Sequence, residues 1–348
     1  MGYQQRLTAS ISPVRGGKLT ILVTGTGGGA GQSVLKALQG SGYRVIAADG
    51  EILGAGLYAA EKGYVIPYAK SSEFVDRVKE ICVREEVKLL IPGLDAELPI
   101  LSRSAAEFAR EGITVVVGEE NFVSLCDDKL ATSRFLEAQG FPYPATWTLD
   151  ELPEDEMTFP LIIKPKIGGA RSIGVRLIRN LPELKRLRQE IDGTAFVAQE
   201  FIDGPEYTCG SVTLEHRCVG VIAARRILRD GDTYKAFIER DSMIEGFVAE
   251  VVDRLQPFGP CNVQLRVRDK VPYIFELNAR FSGTTYCRAL AGFNEPKIIA
   301  DYLLKDLSPC MKIRPITVLR YWKELVVENG EVEACGAHRE ICGQASPL

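Results

Sequence analysis

The residues best suited to chemistry lie on either side of position 270. Gln264 falls in Asn262-Val263-Gln264-Leu265-Arg266-Val267, and Glu276 and Asn278 fall in Val271-Pro272-Tyr273-Ile274-Phe275-Glu276-Leu277-Asn278. The turn pair Asp269-Lys270 between them predicts a pair of strands. Strand alternation then puts Glu276 and Asn278 on one face, where Gln264 of the partner strand can oppose them. One carboxylate and two amide oxygens are hard donors of the type Mg²⁺ accepts beside nucleotide phosphates. Arg280, two residues beyond Asn278, adds a fork-shaped partner for a phosphate or an oxyanion. Lys164 ends the apolar run Phe159-Pro160-Leu161-Ile162-Ile163-Lys164, and the glycine run Gly168-Gly169-Ala170-Arg171-Ser172-Ile173-Gly174 follows. A strand, a flexible glycine turn and a second strand can fold over phosphates, with backbone N–H groups and Lys164 facing the anion. No Gly-Lys-Ser/Thr opens a helix here, so the run is not a Walker A loop. Taken singly, each residue has an ordinary explanation: a surface lysine, an edge-strand carboxylate, a solvated loop arginine at Arg171.

The elements that must position these residues fall into two regions. Leu19–Thr24 reads as a buried strand, and a glycine cluster and a helical pattern through Ser33, Leu35 and Leu38 follow it. Strands are expected at Arg44–Asp49, Lys88–Ile91 and Thr114–Val117, with amphipathic stretches over 73–86 and 97–110. This alternation predicts a parallel α/β sheet with helices on both faces. Gly25-x-Gly27-x-x-Ala30 with Asp49 also fits a dinucleotide fingerprint, so an NAD(P)-dependent oxidoreductase stands as an alternative. Asp95 and Glu97 follow a strand at the sheet edge where ligands bind. Either could meet an amino group, or Glu97 could simply open the next helix.

Further on, a helix is expected over Leu130–Gln139. Strands are expected over Thr194–Ile202 and from Glu206 to Val212, with a turn at Asp203-Gly204-Pro205. Arg225 and Arg226 end another strand, as carboxylate or γ-phosphate partners or as salt-bridge residues. His216 reads as a turn residue. Ile313–Leu319 and Glu324–Val327 look strand-like and could complete the sheet or form a small lid. Met1–Gly17 and Gln344–Leu348 read as flexible ends.

The chain has 348 residues, of which 46% are hydrophobic and 25% charged, with a net charge of −4. Such a chain can bury a real core. It shows no basic footprint for nucleic acid or anionic membrane. No apolar run is long enough to span a bilayer. Nine cysteines without a Cys-x-x-Cys, and only two histidines, speak against a disulfide framework, a zinc ribbon and a Ser-His-Asp triad. A cytoplasmic protein acting on small molecules is expected.

From about Leu19 to Leu304 the chain resembles the ATP-grasp superfamily of carboxylate–amine ligases. The likeness is to the carbamoyl phosphate synthetase large-subunit branch and its stand-alone relatives, such as the lysine–methylornithine ligase of pyrrolysine synthesis. The ordered series Lys129, Lys164, the glycine loop, Glu200, Glu206, Gln264, Glu276-Leu277-Asn278-Ala279-Arg280 and Phe281-Ser282-Gly283-Thr284 carries it. The resemblance implies a Rossmann-like first domain (18–120) after a tail (1–17), then a two-lobed ATP-grasp domain (121–308, mobile small lobe about 133–203) and an extension (309–348). It implies that Lys129 and Lys164 hold ATP phosphates under a loop using Gly168, Gly169, Ser172 and Gly174. Glu200, Phe201 and Ile202 would line the adenine hinge, and Glu206 would accept the ribose hydroxyls. Gln264, Glu276 and Asn278 would bind two Mg²⁺ ions, with Mn²⁺ as a substitute, and Arg280 and Lys164 would act in catalysis. Ala279 stands where the family commonly has Pro, and Gln264 where many members have Glu. The implied reaction joins a small carboxylate to an amine through an acyl phosphate, with ADP and phosphate released. A non-catalytic ATP-binding regulatory protein is a further alternative, and a homodimer stays open.

Overall fold

The computed structural model describes residues 17–153, 157–169 and 173–343. The N-terminal tail through residue 16, Arg171 and Ser172 of the glycine run, and the C-terminal Gln344–Leu348 lie outside them.

Thr20-Ile21-Leu22-Val23 is a mostly β-branched run without an exposed position, and it forms the central strand β1 (Thr20–Val23) of the first sheet. Parallel to it lie β2 (Arg44–Asp49), β3 (Lys62–Val65), β4 (Val87–Ile91) and the short β5 (Thr114–Val115). The strand expected to run to Val117 thus ends two residues early, although Val116 N still donates to Leu90 O at 2.8 Å. Helices α1 (Gly29–Leu38), α2 (Ala55–Ala59), α3 (Phe74–Arg84) and α4 (Leu98–Arg110) alternate with the strands as predicted. The turn from β1 into α1 is tight. A Cβ on Gly31 would lie 2.2 Å from Gly25 O, so only glycine fits there.

α5 (Glu120–Asp127) and α6 (Lys129–Ala138) lead into two antiparallel sheets. The small one has the order β6 (Thr146–Thr148), β9 (Phe196–Glu200), β7 (Leu161–Pro165), β8 (Arg176–Ile178), with α7 (Leu181–Glu190) between β8 and β9 in the chain. The large one has the order β14 (Val271–Asn278), β13 (Gly259–Arg268), β10 (Glu206–Leu214), β11 (Arg217–Arg229), β12 (Asp232–Ile238), β15 (Ile316–Leu319). α8 (Ser242–Leu255) packs on β10 and β11, and α9 (Thr285–Leu290) and α10 (Glu295–Lys305) follow β14. The small sheet packs its own core of Leu149, Leu161, Ile163, Ile178, Leu184 and Leu187. A core that spans the first and large sheets joins Leu22 and Phe74 to Val248 and Leu277. The small sheet is therefore a separately packed lobe.

The C-terminal segment meets expectation in part. Its strand is Ile316–Leu319, which completes the large sheet beside β12, and Glu324–Val327 is irregular. The chain then forms α11 (Asn329–His338) and β16 (Glu340–Cys342), and β16 adds antiparallel to β3 on the first sheet. It is a strap between two sheets, not a lid. His216 has φ +62° in the tight turn between β10 and β11, the turn role expected of it.

Candidate active site

Asp269 and Lys270, both at positive φ, make the tight turn of the β13–β14 hairpin, whose register sets Gln264 opposite Glu276. The expected constellation forms. Glu276 Oε1 accepts from Asn278 Nδ2 at 3.0 Å and from Gln264 Nε2 at 3.3 Å. The register shifts immediately beyond, because Leu265 pairs with Ile274 and Phe275 is the extra residue of a bulge. Bulges re-aim strand groups. Here the Phe275 carbonyl accepts from Lys164 Nζ at 3.0 Å.

Lys164 reaches that carbonyl from the small sheet and also donates to Gln199 Oε1 at 2.9 Å. It is buried, so the surface-lysine explanation is excluded. Burial pushes its ammonium down to about 8, the nearby Glu276 carboxylate partly opposes this, and the Lys129 charge adds to it. A buried ammonium without a carboxylate bonded to it is poised to gain from an incoming anion.

Lys129 is the first residue of α6, whose N-cap Asp128 accepts from Leu130 N and Ala131 N at 2.9 and 3.0 Å. Its ammonium donates to Gly168 O, while Gly168 N donates to Asp127 Oδ1 at 3.0 Å. The glycine run between β7 and β8 is thereby moored at its base to the α5–α6 junction. Gly168, Gly169 and Gly174 all hold positive φ in this turn.

The opposite wall belongs to Glu206. Its two oxygens accept from Arg226 Nε at 2.8 Å and from Arg266 Nη2 at 2.6 Å. Arg226 Nη2 also donates to Gln264 Oε1 at 2.7 Å. The ribose-acceptor expectation thus meets a carboxylate already held by two guanidiniums, with Arg266 Nε also donating to Oε2 at 3.1 Å, so a ribose hydroxyl has to compete with these arginines for it. Arg225 points to the other face of β11, where it pairs with Glu239 at 2.9 Å and stacks on Phe237, so its salt-bridge reading holds. Glu200 N donates to Ala145 O, and the Glu200 side chain pairs with Arg268 at 2.7 Å, so at Glu200 the hinge edge is reduced to the carbonyl. Lys129, Lys164, Gly168, Gly169, Glu200, Phe201, Ile202, Glu206, Gln264 and Glu276 line one cleft of about 240 Å³ between the two sheets. Asn278 adjoins it through Glu276; Gly174 is in the turn above.

Sequence reasoning missed Gln199, Arg266 and the Phe275 carbonyl. Arg266 shares a strand face with Gln264 by simple alternation, a signal that was available. The bulge left none.

At the junction with the first sheet, Arg280 is gripped by Asp95, Nε to Oδ1 and Nη2 to Oδ2 both at 2.7 Å. Glu97 turns inward instead. It is 3% exposed and accepts from Thr24 Oγ1 at 2.7 Å and from Gly93 N and Leu94 N at 3.2 and 3.3 Å, so the amino-group reading fails for it. Burial pushes its carboxyl up to about 7 against those three hydrogen bonds. The dinucleotide fingerprint also dissolves. Asp49 Oδ2 accepts from Gly27 N at 2.6 Å and Oδ1 from Glu51 N at 2.8 Å. The acid that should meet a ribose and the amide that should meet a pyrophosphate satisfy each other. No helix among the described residues is long and apolar enough to cross a membrane.

A Rossmann-like sheet followed by two antiparallel sheets that close on a cleft of lysines, carboxylates and amides defines the class of this protein as α/β with a two-lobed grasp fold. Residues 19–116 match the PylC-like N-terminal domain family and residues 126–284 the ATP-grasp domain family, so the chain carries a PylC-like N-terminal domain followed by an ATP-grasp domain. It is 28% identical over 180 residues to D-alanine–D-alanine ligase A of Bacillus cereus, covering 44% of this chain and 58% of that one. It is 21% identical over 317 residues to the carbamoyl phosphate synthase large chain of Pseudothermotoga lettingae, covering 82% of this chain and 27% of that one. The chain thus spans little more than half of the first relative and about a quarter of the second. Among solved structures, the L-amino acid ligase from Bacillus licheniformis superposes with a TM-score of 0.64 at 18% identity, covering 86% of this chain and 78% of that one. The N5-carboxyaminoimidazole synthetase from Staphylococcus aureus, complexed with ADP, gives 0.68 at 15%, covering 87% and 83%. These two likenesses concern the fold.

Proposed function

We propose that the protein is an ATP-dependent ligase that activates a small carboxylate as an acyl phosphate and joins it to an amine. The observation that carries this reading is the single cleft in which two lysines, a ribose-side carboxylate and the Gln264–Glu276 pair face one another. The names of the relatives, a D-alanine–D-alanine ligase and an L-amino acid ligase, support an amino acid among the substrates.

In this reading adenine lies along Glu200, Phe201 and Ile202, and the ribose meets Glu206. The phosphates run toward Lys129, Lys164 and the loop of Gly168, Gly169, Ser172 and Gly174. A carboxylate oxygen of the acid attacks the γ-phosphorus as its bond to the bridging oxygen of ADP breaks. The amine nitrogen then attacks the acyl carbon, phosphate leaves with the acyl oxygen, and the nitrogen loses its proton to solvent. The protein supplies position and charge, since phosphoryl transfer asks little covalent chemistry of it. Arg280 steadies the transferred phosphoryl group.

The donors fit magnesium or manganese. Gln264 and Asn278 both meet Glu276 Oε1, each through its amide nitrogen, so the three side chains are neighbours whose amide oxygens become ligands when the amides turn over, and a site with one formal negative charge suits an ion that brings phosphate oxygens for its remaining ligands. Bound there by Gln264, Glu276 and Asn278, such ions, two in the full reading, would neutralise phosphate charge.

Thermal unfolding with a non-hydrolysable ATP analogue, with and without Mg²⁺, tests the site, with NAD(H) and NADP(H) as the contrast. At 100 times its Kd a ligand adds about 2.7 kcal/mol. A Mg²⁺-dependent shift with the analogue alone is expected, and Glu276→Ala should abolish ADP formation from ATP with amino-acid substrates while leaving the unfolding midpoint of the free protein in place. A shift with a dinucleotide alone would overturn the ligase reading.

A further inference from the structure

We infer that Asp95 is a positioning residue for Arg280, so that the first domain completes the phosphoryl-transfer site. The inference rests on the cleft being the ATP site proposed above, and it assigns a residue of the other domain to that site.

Arg280 follows β14 on the large sheet, and Asp95 opens a 3₁₀ turn after β4 of the first sheet, 185 residues earlier. Their contact is a two-pronged fork, both bonds at 2.7 Å. Two further bonds complete the fixation: Nη1 donates to Phe281 O at 2.9 Å and Nη2 to Asn278 Oδ1 at 3.3 Å. A guanidinium has five N–H donors in a rigid plane. Four are committed here, and the fifth, on Nη1, is left for a ligand. Arg280 therefore carries its charge beside Asn278 in one orientation, not as a mobile stem.

The partner is as well anchored as the arginine. Glu97, two residues on from Asp95, is buried and collects Thr24 Oγ1, Gly93 N and Leu94 N. Gly93 packs so closely on β1 that a Cβ there would lie 2.2 Å from Thr24 O. The loop that bears Asp95 is thus fixed to the centre of the first sheet. The Asp95 side chain itself is 37% exposed and that of Arg280 15%; neither lines the cleft, and the pair is joined to it through Asn278, which bonds the cleft-lining Glu276 at 3.0 Å. The physical gain is in orientation. An arginine has many side-chain rotamers to lose, and a bidentate carboxylate removes that freedom before the phosphoryl group arrives.

The test uses the full chain and needs no knowledge of the acid or the amine. Affinity is measured for MgADP, and for MgADP with aluminium fluoride as a mimic of the phosphoryl group in flight. The wild-type protein should bind MgADP and bind the fluoride complex more tightly. Asp95→Asn should keep MgADP affinity within about twofold and lose at least about tenfold of the fluoride increment, as a misplaced positioning group does. Arg280→Met should lose the same increment, and the double variant no more than Arg280→Met alone. Asp95→Glu, which restores the charge, should recover part of it.

Retention of the increment in Asp95→Asn overturns the inference, as does its absence from the wild type. Loss of MgADP affinity together with the increment in both Asp95 variants also overturns it, because the pair would then be holding the domains together. Failure of the wild type to bind MgADP at all would instead refute the proposed ATP site.

Discussion

Lys164 should make nucleotide binding take up protons. Its ammonium is buried and held at about 8 by desolvation, with Lys129 adding to the shift and Glu276 opposing it. At pH 8 the group is therefore about half protonated in the free protein. Phosphates beside it favour the charged form and move it well above 8. The Lys164 share of the proton change on ADP binding, read as the difference from Lys164→Met because the ADP phosphate itself titrates at about pH 6, should then be an uptake of about half a proton at pH 8 and only a few hundredths at pH 6.5. Calorimetric titrations at each pH in two buffers of different ionisation enthalpy read this directly. Lys164→Met should bind ADP more weakly and with no uptake assignable to this site. Equal uptake in the two proteins at pH 8, or none in the wild type, would refute both the burial of the charge and its place beside the phosphates.

The same group leaves a mark on stability. Its folded value of about 8 lies below the 10.5 of an unperturbed lysine. Between those pH values the unfolded chain holds more protons, so stability rises with pH across that window, by up to about 3 kcal/mol. Urea unfolding from pH 7.5 to 10.5 should show the rise in the wild type and a flatter profile in Lys164→Met.

Glu97 works in the opposite direction. Its carboxyl sits near 7 in the fold against an ordinary 4.5, so the native state keeps a proton that the unfolded chain has lost, and stability falls as pH rises from about 4.5 to about 7. Glu97→Gln should flatten that fall, as measured by unfolding midpoints across the range. Arg288 and Glu295 form a fully buried pair, with bonds of 2.9 and 3.0 Å, behind the Ser282–Thr285 turn. Arg288→Met strands the carboxylate and should cost about 3–5 kcal/mol in denaturant unfolding. A change of less than about 1 kcal/mol would mean that the pair is solvated in the native protein.

The parts of this site that sequence made legible are those set by local repeat. Period-two alternation placed Glu276 and Asn278 together and put Gln264 across from them, whereas Lys129 was marked only by the family resemblance. The same alternation, applied to Arg225 and Arg226, would have sent them to opposite faces, as the structure does. Sequence was silent where a contact depends on tertiary register. The bulge at Phe275 comes from a mismatch in pairing with β13 and leaves no residue-type signal. The segment after Ile316 was obscure for a related reason: α11 buries only Cys335, and β16 is held by backbone pairing to β3.

Asp49 and Asp95 show why spacing alone could not decide function. Gly25, Gly27 and Asp49 carry the spacing of a dinucleotide site, yet Asp49 lies 2.6 Å from Gly27 N, and the loop closes on itself. Asp95 belongs to no glycine motif and was marked only by its place after a strand, two strands from Asp49's, yet its carboxylate is the one that reaches across to Arg280. In both cases a carboxylate at the C-terminal edge of a parallel sheet seeks the nearest unsatisfied donor. For Asp49 that donor is its own chain's glycine turn, which spends the first sheet's most recognisable motif on holding its shape. For Asp95 it is a guanidinium of the next domain. The glycine-rich signature is therefore structural, and the place proposed for Asp95 at the chemistry is what the fluoride-dependent affinity of Asp95→Asn decides.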